Sequence, residues 1–134
     1  MIRLSQHGAV MMNHRARLKQ DLISAAPLRE IYPWLAEVRV ELDFEDGTPR
    51  APSAQAYSYF PGARGFFRYA CPCHDCSGEF DLSLQVAELA ESTRTGRHSR
   101  RLEVSCTGQR AQDSSENCPI SARIRVSAVP HATE

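Results

Sequence analysis

The chain contains a single lysine, carries no net charge and lacks any long apolar run. Lys19 is the only lysine, and the 16 basic residues are balanced by 16 acidic ones. A net charge of zero argues against a globally basic nucleic-acid-binding protein and against an acidic mimic. No stretch approaches the roughly 20 apolar residues of a membrane-spanning helix. Residues 8–12 are too short a run for an export signal, so we expect a cytoplasmic protein without a membrane partner.

Several motifs of enzymes are also missing. The sequence has neither an H-E-x-x-H pattern nor a glycine-rich phosphate loop. Residues 72–76 match the P-C-x-x-C half of the zinc deaminase signature, but that chemistry also needs an upstream H-x-E. Neither His7 nor His14 is followed by glutamate two positions later. Haem attachment would need a histidine where Ser77 stands. These absences favour a protein that is not an enzyme.

The 134 residues and the 42% hydrophobic content fit one folded domain with a modest core. Residues 1–12 are loosely patterned, and we expect them to form a disordered extension. The domain is expected to span residues 13–129, and residues 130–134 form a tail. No internal repeat or low-complexity run is present.

Apolar spacing predicts both helices and strands. A helix is expected over residues 14–25, and a second over 81–94 with Asp81 as its N-cap and Gly96 after its end. Strict alternation predicts half-buried strands, whereas residues 48–54 and the polar stretch 108–117 are expected to be loops. The predicted strands cover residues 38–45, 65–71, 102–106 and 120–128, with a further short one near 57–60.

Short connections and clean alternation favour an α+β fold with an antiparallel sheet of four or five strands. The helix after residue 80 would cover one face of this sheet, and the N-terminal helix would pack on its edge. The last two strands are expected to form a hairpin. That hairpin would bring Cys106 and Cys118 together as cross-strand neighbours, with Cβ atoms about 5 Å apart.

Cysteine is the residue type that carries chemistry here. Five cysteines occur, three of them within six residues: Cys71, Cys73, Cys76, Cys106 and Cys118. In a reducing compartment, clustered thiolates indicate a metal site, and zinc is the metal that four cysteines usually hold. The spacing places Cys76, Cys106 and Cys118 in every version of the site. The fourth ligand is either Cys71 or Cys73, and spacing does not decide between them.

This pattern resembles zinc-ribbon-type domains and, more loosely, a class of small uncharacterised bacterial proteins. The resemblance covers about residues 66–126, in the elements F-R-Y-A-C-P, C-S-G-E-F-D-L, C-T-G-Q-R and C-P. It implies a structural metal and no defined activity. The chain departs from a compact ribbon because eleven residues, rather than two, separate its second pair of cysteines.

Two other interpretations of the cysteines stay open. Some of the five could be buried as small hydrophobic side chains, and Cys106 and Cys118 have the spacing for a disulfide in an oxidising compartment. Cys73 and Cys76 could instead form a redox pair near a helix N-terminus, where the helix dipole lowers a thiol pKa. Against this, the flanking pattern is antiparallel, and Cys71 would interfere.

Two surface features could recognise nucleic acid. The densest run of basic residues contains four arginines: Arg94, Arg97, Arg100 and Arg101. They could contact phosphates, although a solvated loop balanced by Glu88, Glu91 and Glu103 is favoured. A cluster of aromatic residues at 57–69, interleaved with Arg64, could stack on bases, but large rings are usually core. The sequence therefore favours a zinc-stabilised interaction module whose partner is an unidentified protein or nucleic acid.

Overall fold

The computed structural model describes the chain in six segments. These segments are residues 14–45, 53–72, 78–106, 109–110, 113–118 and 120–132. The expected disorder of residues 1–12 lies outside them, as do Cys73, Cys76 and most of the expected loop at 48–54.

The fold is α+β, as the sequence predicts. The helices are α1 (His14–Ser24), α2 (Leu28–Ile31) and α3 (Ser83–Ser92), the last continued by a 3₁₀ turn at Thr93–Thr95. The strands are β1 (Leu35–Glu45), β2 (Ser53–Tyr59), β3 (Arg68–Ala70), β4 (Glu79–Asp81), β5 (Ser99–Ser105), β6 (Gln109–Arg110), β7 (Asp113–Asn117) and β8 (Ser121–Pro130).

A four-stranded antiparallel sheet forms the centre of the molecule, in the order β2-β1-β8-β5. Alternation in β1 buries Val40 and Leu42, while Arg39 and Glu45 face solvent. In β8 the matching positions Ile124 and Val126 are buried as well. Burial of such side chains is worth about 1.5–3 kcal/mol each, so one apolar face suffices to fix the register of the sheet.

Helix α3 covers the apolar face of the sheet and packs against β8. Its buried side chains are Val86, Leu89 and Ala90. The indole Nε1 of Trp34 donates a hydrogen bond to the Ala90 carbonyl oxygen at 2.9 Å, which ties the helix to the start of β1. After the 3₁₀ turn, Gly96 takes a left-handed conformation with φ of 93°, as its predicted place after the helix requires.

Some predicted boundaries were wrong. Helix α3 begins at Ser83, so Asp81 is not its N-cap, although the Asp81 carboxylate still accepts the Ser83 N–H at 3.0 Å. Strand β8 continues through Pro130, beyond the end at residue 128 that was predicted for this strand. This extension pairs with Leu35 at the start of β1, a long-range contact that alternation in a single strand does not reveal.

Two small hairpins outside the main sheet were not predicted, although β3 itself lies within the predicted strand 65–71. Strands β3 and β4 pair with each other, and β6 and β7 form a second two-stranded sheet within the expected polar loop. Elements of two to five residues are too short to show a hydrophobic period. In the part of the chain that the structure describes, no helix has the length and apolar character needed to cross a membrane.

Candidate metal centre

Three cysteines that are distant in sequence meet at one end of the sheet. The Sγ atoms of Cys71, Cys106 and Cys118 all lie within 4.8 Å of one another. All three side chains are buried, with exposed fractions of 1%, 6% and 6%. Three soft sulfur ligands converging on one point form a site that could hold a metal ion.

Backbone pairing explains this convergence. Cys106 directly follows β5, and its N–H donates to the Ile120 carbonyl oxygen at 2.9 Å, one step beyond the Ser105–Ser121 pair. Cys118 precedes the other arm by only a few residues. The expectation that the last two long strands pair and that these two cysteines come together is confirmed. The register places Cys106 opposite Ile120, however, so Cys118 is not the direct cross-strand neighbour that the sequence predicted.

Cys71 reaches the same point from the β3–β4 hairpin. It directly follows β3, and its N–H donates to the Gly78 carbonyl oxygen at 3.1 Å, where the chain returns into β4. Tyr69 in β3 and the flanking residues Phe67 and Cys71 share the buried face, as the sequence predicts. The missed β4 strand is what closes this hairpin and holds Cys71 in place.

The sulfur spacing fits a tetrahedral metal better than it fits a disulfide. The Cys71 and Cys118 sulfurs are 3.6 Å apart. Zn–S bonds of about 2.3 Å in a tetrahedron place neighbouring sulfurs about 3.8 Å apart. A disulfide needs an S–S distance of about 2.05 Å. The residues present therefore suit a thiolate-bound metal, although their geometry does not identify which one.

The other predicted ligands lie outside the described residues. Cys73 and Cys76 belong to the segment between Pro72 and Gly78, so the structure does not place their sulfurs. The redox pair that these two residues could form is untested for the same reason. Of the two alternatives for the fourth ligand, Cys71 stands within the cluster.

Charged side chains fasten the Cys71 hairpin to helix α1. The Arg68 guanidinium makes two hydrogen bonds to the Glu79 carboxylate, at 2.6 and 2.8 Å, across the β3–β4 ladder. A third bond of 2.8 Å reaches Asp21 in α1. The hydrogen bonds to Glu79 are the main reason why the pKa of Arg68 is raised above its usual value. A forked contact of this kind restrains both strands of the hairpin.

An aromatic groove of about 630 Å³ lies beside Cys71. Tyr59 and Tyr69 share a hydrogen bond of 2.6 Å between their hydroxyls at the base of the groove. Burial raises the pKa of Tyr59 to about 12, so this hydroxyl is protonated at neutral pH. Tyr57 stacks over Tyr69 with ring centroids 4.9 Å apart. Since Tyr59, Tyr69 and Phe67 are buried, these three rings belong to the core rather than to an exposed stacking platform.

The arginine-rich segment is arranged differently from the expected loop. Strand β5 begins at Ser99, so Arg100 and Arg101 are neighbours in a strand and lie on opposite faces of the sheet. Arg100 pairs with Glu88 of α3 at 2.6 Å. Arg94 stacks 4.2 Å from the centre of the Trp34 ring and lies 3.9 Å from Glu91. The four arginines therefore do not share a face, and nucleic-acid binding stays a prediction.

Any affinity for nucleic acid is expected to be weak and sensitive to salt, because the chain has no net charge to attract phosphates from a distance. Roughly four phosphate contacts would give a log–log salt slope near −3 to −4. Replacing Arg97, Arg100 and Arg101 by serine should abolish the binding of an RNA or DNA oligonucleotide in fluorescence anisotropy. Arg39→Ser on β1 is the matched control and should leave any such binding intact. Absence of wild-type binding at low salt would contradict the prediction.

Comparisons with protein-family models, with curated proteins and with solved structures find no match. The class of protein is therefore defined only by its fold and its site: an α+β domain in which three buried cysteines converge at the end of an antiparallel sheet. The resemblance to zinc ribbons remains a hypothesis from the sequence pattern.

Proposed function

We propose that this chain is a non-enzymatic zinc-binding protein, in which four cysteine thiolates hold one structural zinc ion that stabilises a small interaction module. The observation that carries the proposal is the convergence of the Cys71, Cys106 and Cys118 sulfurs within 4.8 Å. Three thiolates are one ligand short of the closed tetrahedral set typical of structural zinc. Cys76 is the fourth ligand in this proposal, with the C-x4-C spacing that starts at Cys71.

Burial supports a structural rather than a catalytic role. A catalytic zinc keeps one position open to water or substrate, whereas a structural zinc is closed by protein ligands. The three cysteines are almost fully buried. Cys71 follows the β3–β4 hairpin, whereas Cys106 and Cys118 belong to the β5–β8 end of the main sheet, which is a separate sheet. A metal at this point would link the β3–β4 hairpin to the β5–β8 pair. We place the protein in the cytoplasm, where such thiols stay reduced.

Native mass spectrometry of freshly purified protein should show one zinc ion per chain. Two neighbouring cysteines then form a matched pair of variants. Cys76→Ser should lose the zinc, whereas Cys73→Ser, which changes the same kind of atom three residues away, should keep it. The reverse result would show that Cys73 is the fourth ligand. A metal-free, fully folded protein with five reactive thiols would refute the zinc proposal and favour the redox alternative at Cys73 and Cys76.

The partner of the module is a protein or a nucleic acid. Among the described strands, β5 is the last of the main sheet, and the edge of such a strand can pair with a strand of a protein partner.

A further inference from the structure

Strand β5 is the last strand of the main sheet among the described strands, and one of its edges is unpaired there. Its seven residues read S-R-R-L-E-V-S, and five of them are exposed. An unpaired strand edge presents N–H and C=O groups that can hydrogen-bond another strand. We propose that this edge is a self-association surface, on which β5 of a second copy of this chain pairs antiparallel about a twofold axis at Leu102.

The backbone directions along β5 allow this pairing. The His98 carbonyl oxygen accepts the Ala128 N–H, and the Cys106 N–H donates to the Ile120 carbonyl oxygen, both at 2.9 Å. In an antiparallel ladder, residues whose N–H and C=O groups bond to one neighbouring strand alternate with residues whose groups point away from that strand. The even-numbered residues of β5 therefore bond to β8. Arg101 and Glu103 direct their N–H and C=O groups to the unpaired edge.

The pleat of the sheet restricts the register. Residues directly opposite each other in an antiparallel pair lie on the same face. A shift of one position would place Arg101, which faces outward, opposite Leu102, which faces the core. The core of the second copy would then lie on the opposite face of the joined sheet. Only registers that pair odd residues with odd residues join the two sheets into one continuous sheet with both cores on the same face.

Charge complementarity selects one of these registers. With Leu102 on the axis, Arg101 lies opposite Glu103 of the second copy, and the same pair repeats on the other side of the axis. With the axis at Arg101, two arginines would face each other, and with the axis at Glu103, two glutamates would do so. The Leu102 register also overlaps all seven residues of the strand and sets the serines at its two ends opposite each other.

The neighbouring strand explains why Arg101 gains from this arrangement. Within the sheet, Arg101 lies beside Arg125 of β8, a like charge. Glu103 of the second copy would supply the missing negative charge on the other side. Charged residues on edge strands usually discourage pairing between chains. In β5, the twofold rotation brings Arg101 of one copy opposite Glu103 of the other, so the two charges attract. The charges on this edge therefore favour one partner, a second copy of the same chain.

Sedimentation velocity over a concentration series tests this inference. The wild-type protein should form a concentration-dependent dimer. Arg101→Glu and Glu103→Arg each turn both symmetric ion pairs into like-charge pairs, so each variant alone should raise the dimer dissociation constant about tenfold or more. Mixed in equal amounts, the two variants should associate again, because one carries glutamate and the other arginine at both positions. Arg39→Glu makes the same charge change as Arg101→Glu at an exposed position of β1, two strands further in and away from Arg101, and should leave dimerisation intact.

Hydrogen exchange provides the second measurement. The amides of Arg101 and Glu103 should become protected as the protein concentration rises, whereas the Leu102 amide, which bonds to β8, should be protected throughout. A wild-type chain that is monomeric at every concentration would overturn the inference. So would a dimer that neither single variant weakens, or edge amides that are protected in the monomer, which would show that another segment covers β5. None of these outcomes bears on the zinc content of the protein.

Discussion

Cys118→Ser is expected to unfold the end of the main sheet, because it removes one of the three converging sulfurs. A structural zinc site contributes on the order of 10 kcal/mol in zinc-finger peptides. The whole stability of a domain is about 5–15 kcal/mol, so losing the metal would remove most of it. Cys106→Ser should have the same effect, since both residues close the same pair of strands.

The size of the effect separates a ligand from a merely buried side chain. Serine is nearly the shape of cysteine, and a buried hydroxyl without a partner costs about 1–3 kcal/mol. For a chain of this length, such a loss lowers the melting temperature by roughly 3–15 °C, which is well short of unfolding. Thermal unfolding followed by circular dichroism, with Cys73→Ser as the control, measures the difference. If Cys106→Ser and Cys118→Ser both melt within a few degrees of the parent, these residues do not ligate a metal.

Strands β1 and β8 of the main sheet could be predicted because they obey a simple physical pattern, whereas β2 begins at Ser53, inside the expected loop. Strands β1 and β8 bury every second residue, so apolar and charged side chains alternate visibly in the sequence. The meeting of Cys106 with Cys118 followed from the pairing of the last two long strands. Strand β5 was assigned too short because its first residues are Ser99, Arg100 and Arg101, which are all exposed and carry no apolar signal.

The place of Cys71 in the cluster depends on a hairpin that the sequence did not reveal. The alternation of side chains along a strand did indicate that Cys71 shares a face with Phe67 and Tyr69. However, β3 and β4 each contain three residues, and their pairing depends on side-chain contacts such as Arg68 with Glu79. Such contacts join residues that are not neighbours in any local pattern. Three of the five predicted cysteines therefore come together, whereas Cys73 and Cys76 lie outside the described residues, and the geometry of the three came from the long-range pairing.

Aromatic contacts attach this hairpin to the main sheet in addition to the cysteines, and Phe80 in β4 is the most deeply buried ring among them. Phe80 in β4 is only 1% exposed, and its ring centroid lies 5.4 Å from that of Phe44 in β1. Phe80 also lies opposite Tyr69 in the β3–β4 ladder. It therefore couples the hairpin that carries Cys71 to the face of the sheet that forms the core.

Phe80→Ala is expected to destabilise the protein by about 3–5 kcal/mol, since it removes a large buried ring and leaves a cavity. Urea unfolding measures this loss, and it should be carried out with saturating zinc so that reduced metal occupancy does not add to it. Phe60→Ala is the matched control: Phe60 is 56% exposed, and its loss should change stability by no more than about 0.5 kcal/mol. A Phe80→Ala variant as stable as the control would show that the Phe80 ring does not help to hold the hairpin on the sheet. A large loss at constant zinc content would show that the core stabilises the hairpin that carries Cys71 independently of the metal.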